Sequence, residues 1–209
     1  MSNLDLFTLL SRKIFHDLIN PASAALNGME LLKYNLANAD AQALEDETFQ
    51  LLDMSIKKIT AQITFLRFCY SDPRTAKNEN VSINLINNII KDYISFTRLK
   101  ITYSDDLEQL NKKHAILLAN TIIAVQSLCP QGAEINYELI DANTFIIRVN
   151  NPTGKINSEI LEDLHIPGSD KTKNIQVRYL NELTSIYGIK YEVISGEDNE
   201  TSINFCNAN

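Results

Sequence analysis

Residues 11–32, SRKIFHDLINPASAALNGMELL, decide the fold. Ile14, Leu18, Ala25, Met29 and Leu32 recur at spacings of four, seven, four and three, which places them on one stripe of a helix. Outward from this stretch, the first seventy residues contain a single proline and a single glycine, so the helix is expected over about residues 4 to 36. Polar residues around 37–42 make a turn. A second periodic set then begins with Leu44, Leu52, Ile56, Ile59, Ile63 and Leu66, at nearly heptad spacing. Ser71-Asp72-Pro73 ends this helix near Tyr70, and the two helices form an antiparallel hairpin.

Two long helices cannot enclose apolar stripes on all inward sides, whereas four can. Homodimerisation into a four-helix bundle answers this most simply; the alternative is that the hairpin packs on the rest of its own chain. SDPRTAKNEN, residues 71–80, shifts in composition and reads as a linker. The expected units are therefore a hairpin over residues 1–72 and a second domain over residues 80–209.

Beyond the linker the signals alternate. Helices are expected at 84–96, at 112–130 up to Pro130, near 157–164, and at 174–188 ending on Gly188. A short strand is expected at 100–106, and a hairpin from 133–141 and 143–151 around an Asp-Ala-Asn turn. Pro167 and Gly168 mark a loop, and IKYEVISG and ETSINFCN are the final strands. Helices and antiparallel strands in this order make an α+β layer sandwich.

Charge and composition narrow the function. The net charge is −7 and the pI about 5.0, with no run of lysine and arginine, so nucleic acid is not the expected partner. Cys69, Cys129 and Cys206 are widely spaced without a C-x-x-C pair and read as small buried hydrophobes in a reducing cytosol. The N-terminus lacks the pattern of a signal peptide, and AILLANTIIAV at 115–125 is too short for a membrane span. A cytoplasmic protein with no membrane partner is expected.

His16 carries the chemistry. At about 100° per residue it lies opposite both Ile14 and Leu18, and so faces solvent. Arg12 and Lys13 precede it by one turn, Asn20 follows by one, and Ser23 and Asn27 lie further along the same face. An imidazole, with an ordinary pKa of about 6.5, is a neutral nucleophile at pH 7. One ring nitrogen attacks while the other keeps its proton, and Asp17 is placed to accept that hydrogen bond and fix the tautomer. Arg12 and Lys13 would offset the charge of an incoming phosphoryl group. Pro21 removes a backbone hydrogen bond to the carbonyl of Asp17 and favours a kink beside His16.

The string His16-Asp17-Leu18-Ile19-Asn20-Pro21 resembles the phospho-acceptor H box of sensor histidine kinases, with departures at Ile19 and Ala22. SRKIFHDLINPASAALNGMELL as a whole more closely resembles the ChpT-type histidine phosphotransferases of alphaproteobacterial phosphorelays. ITFLRFCYSD, LLANTIIAVQSLCPQGAEI and NIQVRYLNELTSIYGI are similar to later segments of that family, so the likeness covers nearly the whole chain. It implies a homodimeric four-helix bundle followed by a degenerate histidine-kinase-like ATPase α/β sandwich.

The kinase alternative is tested by the nucleotide motifs. The resemblance places Asn120 at the first asparagine of N-x-x-x-N and Ala124 where the second, magnesium-holding one belongs. It places Asn151, Thr153 and Lys155 on the three key positions of D-x-G-x-G. No G-x-G occurs among the six glycines, nor any Walker-type loop, so no ATP binding is expected.

The implied function is a phosphotransferase without ATP-dependent kinase activity. His16 accepts phosphate from a receiver-domain aspartate of a hybrid histidine kinase and passes it to response-regulator aspartates, with magnesium supplied by the receiver and no cofactor of its own. Asp17 and Asn20 complete the catalytic turn, and Arg12, Lys13 and Pro21 meet the phosphate or partner. The competing function is a non-catalytic dimeric module that binds a receiver or kinase.

Overall fold

The structure, a computed structural model, describes residues 3–37, 41–73, 79–103, 108–141, 144–167, 172–196 and 200–207. The expected turn near 37–42, half of the 71–80 linker, the Asp-Ala-Asn turn and Gly168 lie wholly or partly outside these residues.

Helix α1 spans Asn3–Ala37 and α2 spans Ala41–Cys69, packed against each other along the hairpin. Alanine, leucine and other straight-chain residues favour this conformation, and the helix continues through Pro21. The inward positions differ from the expected stripe. On α1 the buried residues are Leu10, Pro21 and Gly28, while Ile14, Leu18, Ala25 and Leu32 are half-buried and Met29 is exposed. On α2, Ser55, Ala61, Phe65 and Cys69 are buried, whereas Ile56 and Ile63 are exposed. The stripe therefore divides. The last turns of α2 bury Phe65 and Cys69 in the core of the same chain, with Leu66 packed against it, whereas Met29, Ile56 and Ile63 of the stripes remain exposed.

The second half is built on a five-stranded sheet of β2 (Leu99–Tyr103), β4 (Ala133–Asp141), β5 (Thr144–Asn150), β7 (Glu200–Asn207) and β6 (Ile189–Ser195), in that spatial order. Ala133, Ile135 and Tyr137 on β4 and Phe145, Ile147 and Val149 on β5 alternate with polar residues, so one face is apolar. Helices cover that face. The other face carries Glu134, Asn136, Glu138, Arg148 and Asn204, with ion pairs from Lys100 to Glu134 at 3.2 Å and from Arg148 to Glu138.

Two details depart from the expected antiparallel sheet. Strand β2 pairs in parallel with β4, because the chain returns to the same edge through α4 (Lys112–Leu128). A separate two-stranded sheet pairs β1 (Asn80–Ser82) with β3 (Gln109–Asn111); strands of three residues are too short to show a period.

Helix α3 (Ile83–Ile94) packs on α2, and α4 lies at the centre of the molecule with every residue from His114 to Val125 buried. Helices α5 (Ser158–His165) and α6 (Ile175–Tyr187) pack on α4. Asparagines cap three of these helices. Asn111 accepts from Lys113, Asn157 from Glu159 and Ile160, and Asn174 from Gln176 and Val177. Gly188 ends α6 at φ 65°, a left-handed conformation that suits glycine. Phe145 stacks on Phe205 with ring centroids 4.4 Å apart, and burial of such rings supplies roughly 1.5–3 kcal/mol each.

Candidate functional site

The first half of α1 presents His16 outward, its side chain 76% exposed beside the 43% exposed side chain of Asp17. His16 Nδ1 lies 3.3 Å from Asp17 Oδ1. An ionised carboxylate can only accept, so this contact places the ring proton on Nδ1 and leaves the Nε2 lone pair free. Consecutive side chains on a helix diverge by about 100°, which is why the contact is longer than most charge-assisted hydrogen bonds.

Arg12, Asn20, Ser23 and Asn27 are exposed, consistent with one open surface around His16. Pro21 is buried at the base of this turn. Lys13 is placed differently from the shared face expected of it. It is half-buried and turned into a cleft between the hairpin and the C-terminal sandwich, where burial pulls its pKa below the ordinary lysine value against the opposing attraction of Asp17.

The cleft has a volume of about 350 Å³ and runs between α1, α2 and the ends of α3 and α4. Lys58 and Gln62 enter it from α2, and Gln126 from α4. Tyr93 forms part of its floor, stacked on Phe65 at 3.9 Å and donating its hydroxyl proton to Gln126 Oε1 at 2.6 Å. Burial raises the Tyr93 pKa well above that of a free phenol, so the hydroxyl remains a donor. Sequence reasoning missed Lys58, Gln62 and Gln126, because no short motif joins residues on three separate helices.

The positions that the kinase resemblance assigns to nucleotide are tied to other parts of this chain. Asn120 is buried, and its Nδ2 donates to the carbonyls of Cys69 at 3.0 Å and Ile116 at 2.8 Å. Its Oδ1 accepts from Gln176 Nε2 at 2.9 Å, and Gln176 Oε1 accepts from Tyr70 at 3.0 Å. This network joins the end of α2 to α4 and α6. The buried Asn151 closes its own turn, donating to Lys155 O at 3.0 Å and accepting from Thr153 N at 3.2 Å and Thr153 Oγ1 at 2.8 Å.

The other histidines lie elsewhere. His114 is buried with its ring 4.9 Å from that of Phe145, and His165 Nδ1 donates to Leu161 O at 2.9 Å. Among the described residues, no group of three or more histidine, cysteine, aspartate or glutamate side chains is arranged to hold a metal ion. No described helix is long and apolar enough to cross a membrane.

Large apolar side chains remain exposed along the hairpin, including Phe7 at 68%, Phe15 at 64%, Met54 at 60% and Ile63 at 48%. Their number on one pair of helices exceeds the scattered apolar residues of an ordinary monomer surface.

Comparison with known proteins adds three findings. The family model described as histidine phosphotransferase C-terminal domain matches residues 84–199. Protein phosphotransferase ChpT of Brucella abortus (strain 2308) is 27% identical over 165 residues, which make up 78% of this chain and 75% of that protein. A solved bacterial phosphotransferase shares the fold with a TM-score of 0.75 and 22% identity, over 98% of this chain and 97% of the other.

Proposed function

The chain belongs to the histidine phosphotransferase family, and from that premise we propose that His16 is the residue that accepts and passes on the phosphoryl group of a phosphorelay. The observation that carries this reading is the exposed imidazole with its Nδ1 proton directed to Asp17.

In the forward step the Nε2 lone pair attacks the phosphorus of a receiver's aspartyl phosphate. The N–P bond forms as the bond from phosphorus to the carboxylate oxygen breaks, and the aspartate leaves with that electron pair. The ring becomes positive, and Asp17 offsets the charge while holding the Nδ1 proton. The second step runs in reverse order onto the aspartate of a response regulator. Asn20 and Arg12 flank the ring on the same open surface and are assigned to contact the phosphoryl group or the receiver, and the buried Pro21 sets the shape of the turn. Lys13 approaches from the cleft side through Asp17. Magnesium is assigned to the receiver, whose acidic pocket supplies it.

The proposed division of labour gives residues 1–72 dimerisation and phosphotransfer, and residues 80–209 the role of a degenerate ATPase-like unit. Two copies pairing through the exposed apolar residues of the hairpin would complete a four-helix bundle. Sedimentation as a monomer at micromolar concentration would remove this part. The absence of nucleotide binding is supported by Asn120 and Asn151, whose polar atoms are held by protein partners. A cytoplasmic location suits the free thiols, of which Cys69 and Cys129 are buried as expected, while Cys206, near the end of β7, is exposed.

The deciding experiment incubates the protein with a phosphorylated receiver and assays acid-labile, base-stable phosphate. The wild type is expected to take it up and His16→Ala to take up none. Uptake by His16→Ala would overturn the assignment, and receiver binding without any transfer to wild type would favour the non-catalytic module.

A further inference from the structure

The cleft behind Asp17 gathers hydrogen-bond donors that the protein itself leaves unused. Lys13 feels Asp17, but no carboxylate of the described residues comes within 4.0 Å of its ammonium or that of Lys58. The side-chain amides of Asn20 and Gln62 make no hydrogen bond among the described residues. Gln126 is oriented by the hydroxyl of Tyr93, which takes its Oε1 and leaves its NH₂ group without a protein acceptor among these residues. Five donor-bearing side chains thus line one cavity of about 350 Å³, the lower end of the size range of small-molecule sites.

A second observation points to an occupant. Gln62 Oε1 is sealed from solvent and has no partner, and a buried polar atom left in that state costs roughly 1–3 kcal/mol. Sealed in this way, it can accept from a group in the cleft only when the Gln62 side chain turns toward the opening. Local charge selects what else that group carries, since two ammonium groups face one carboxylate, a positive balance within a chain of net charge −7. The attraction of an entering anion would offset the desolvation that depresses the Lys13 pKa.

We propose that this cleft binds a small oxyanion of the phosphate class from solution, at a site separate from the phosphoryl group carried on His16. Hydrogen phosphate meets both demands. Its charged oxygens accept from Lys13, Lys58 and Gln126, and its P–OH donates to Gln62 Oε1 once that amide has turned toward the cleft.

The test is a titration of the full chain with inorganic phosphate at pH 7, followed by the side-chain amide resonances of glutamine and asparagine, with ionic strength held constant by sodium chloride. Saturable shifts at Gln62 and Gln126 are expected. Lys58→Met should weaken binding about tenfold, the worth of one charge-assisted contact, while Lys58→Arg retains it. His16→Ala should bind phosphate as the wild type does, which separates this site from the relay reading. Gln62→Met provides a second variant, expected to weaken binding if Lys58→Met does not fold. Shifts that chloride reproduces, that survive both Lys58→Met and Gln62→Met, or that vanish in His16→Ala would overturn the proposal.

Discussion

The turn around His16 and the interior around Asn120 both concentrate polar side chains, yet they treat them in opposite ways. At His16 the ring has one polar contact among the described residues, to Asp17, and its side chain is largely open to solvent. At Asn120 every amide atom is held by the protein, through Cys69, Ile116 and Gln176. Asn151 repeats the second pattern within its own turn. The difference teaches where chemistry can occur on this fold. A polar group whose partners are all supplied by the chain specifies structure, because breaking those bonds exposes unpaired buried atoms. A group left half-paired can still bind or react.

This contrast is open to test. The largest effect is expected from Asn120→Leu, which leaves the Gln176 amide and the Cys69 carbonyl unpaired in the interior. Urea unfolding should show a loss of about 2–4 kcal/mol, with the folded fraction still accepting phosphate. A stability near wild type would show that the network is not what joins α2 to the sandwich.

Asp17→Asn should do the reverse. Transfer is expected to slow by on the order of tenfold to a hundredfold, the range typical of a carboxylate that orients a histidine, while the unfolding midpoint stays near wild type. Unchanged transfer rates in rapid-quench assays would end the tautomer argument.

The smallest effect is expected for Asn151→Ala, which opens one turn at a cost of about 1–2 kcal/mol. Calorimetry checks the loss. A gain of nucleotide affinity in that variant would show that the turn hides a working site rather than replacing one.

The long helices were legible because their apolar residues repeat over many turns, and Gly188 marked the end of α6 because a left-handed residue there suits glycine. The parallel pairing of β2 with β4 was not legible, since strand direction depends on a crossover that leaves no local signal. Lys13 shows the same limit at the site. Helical angle placed it with His16, whereas a long side chain three residues away can turn to either flank, and it turns into the cleft.

By itself, the sequence determined that a helix carries an outward histidine followed by aspartate, asparagine and proline, because helical geometry is local and repeats every 3.6 residues. It determined as well that no glycine-rich nucleotide loop exists in this chain. Only the tertiary structure decided that Asn120 locks α2 to α4 and α6, and that Lys13, Lys58, Gln62 and Gln126 line one cavity. These residues come from separate helices, and their meeting depends on how the hairpin and the sandwich pack. Helix packing is set by the summed fit of many side chains, which no short segment records.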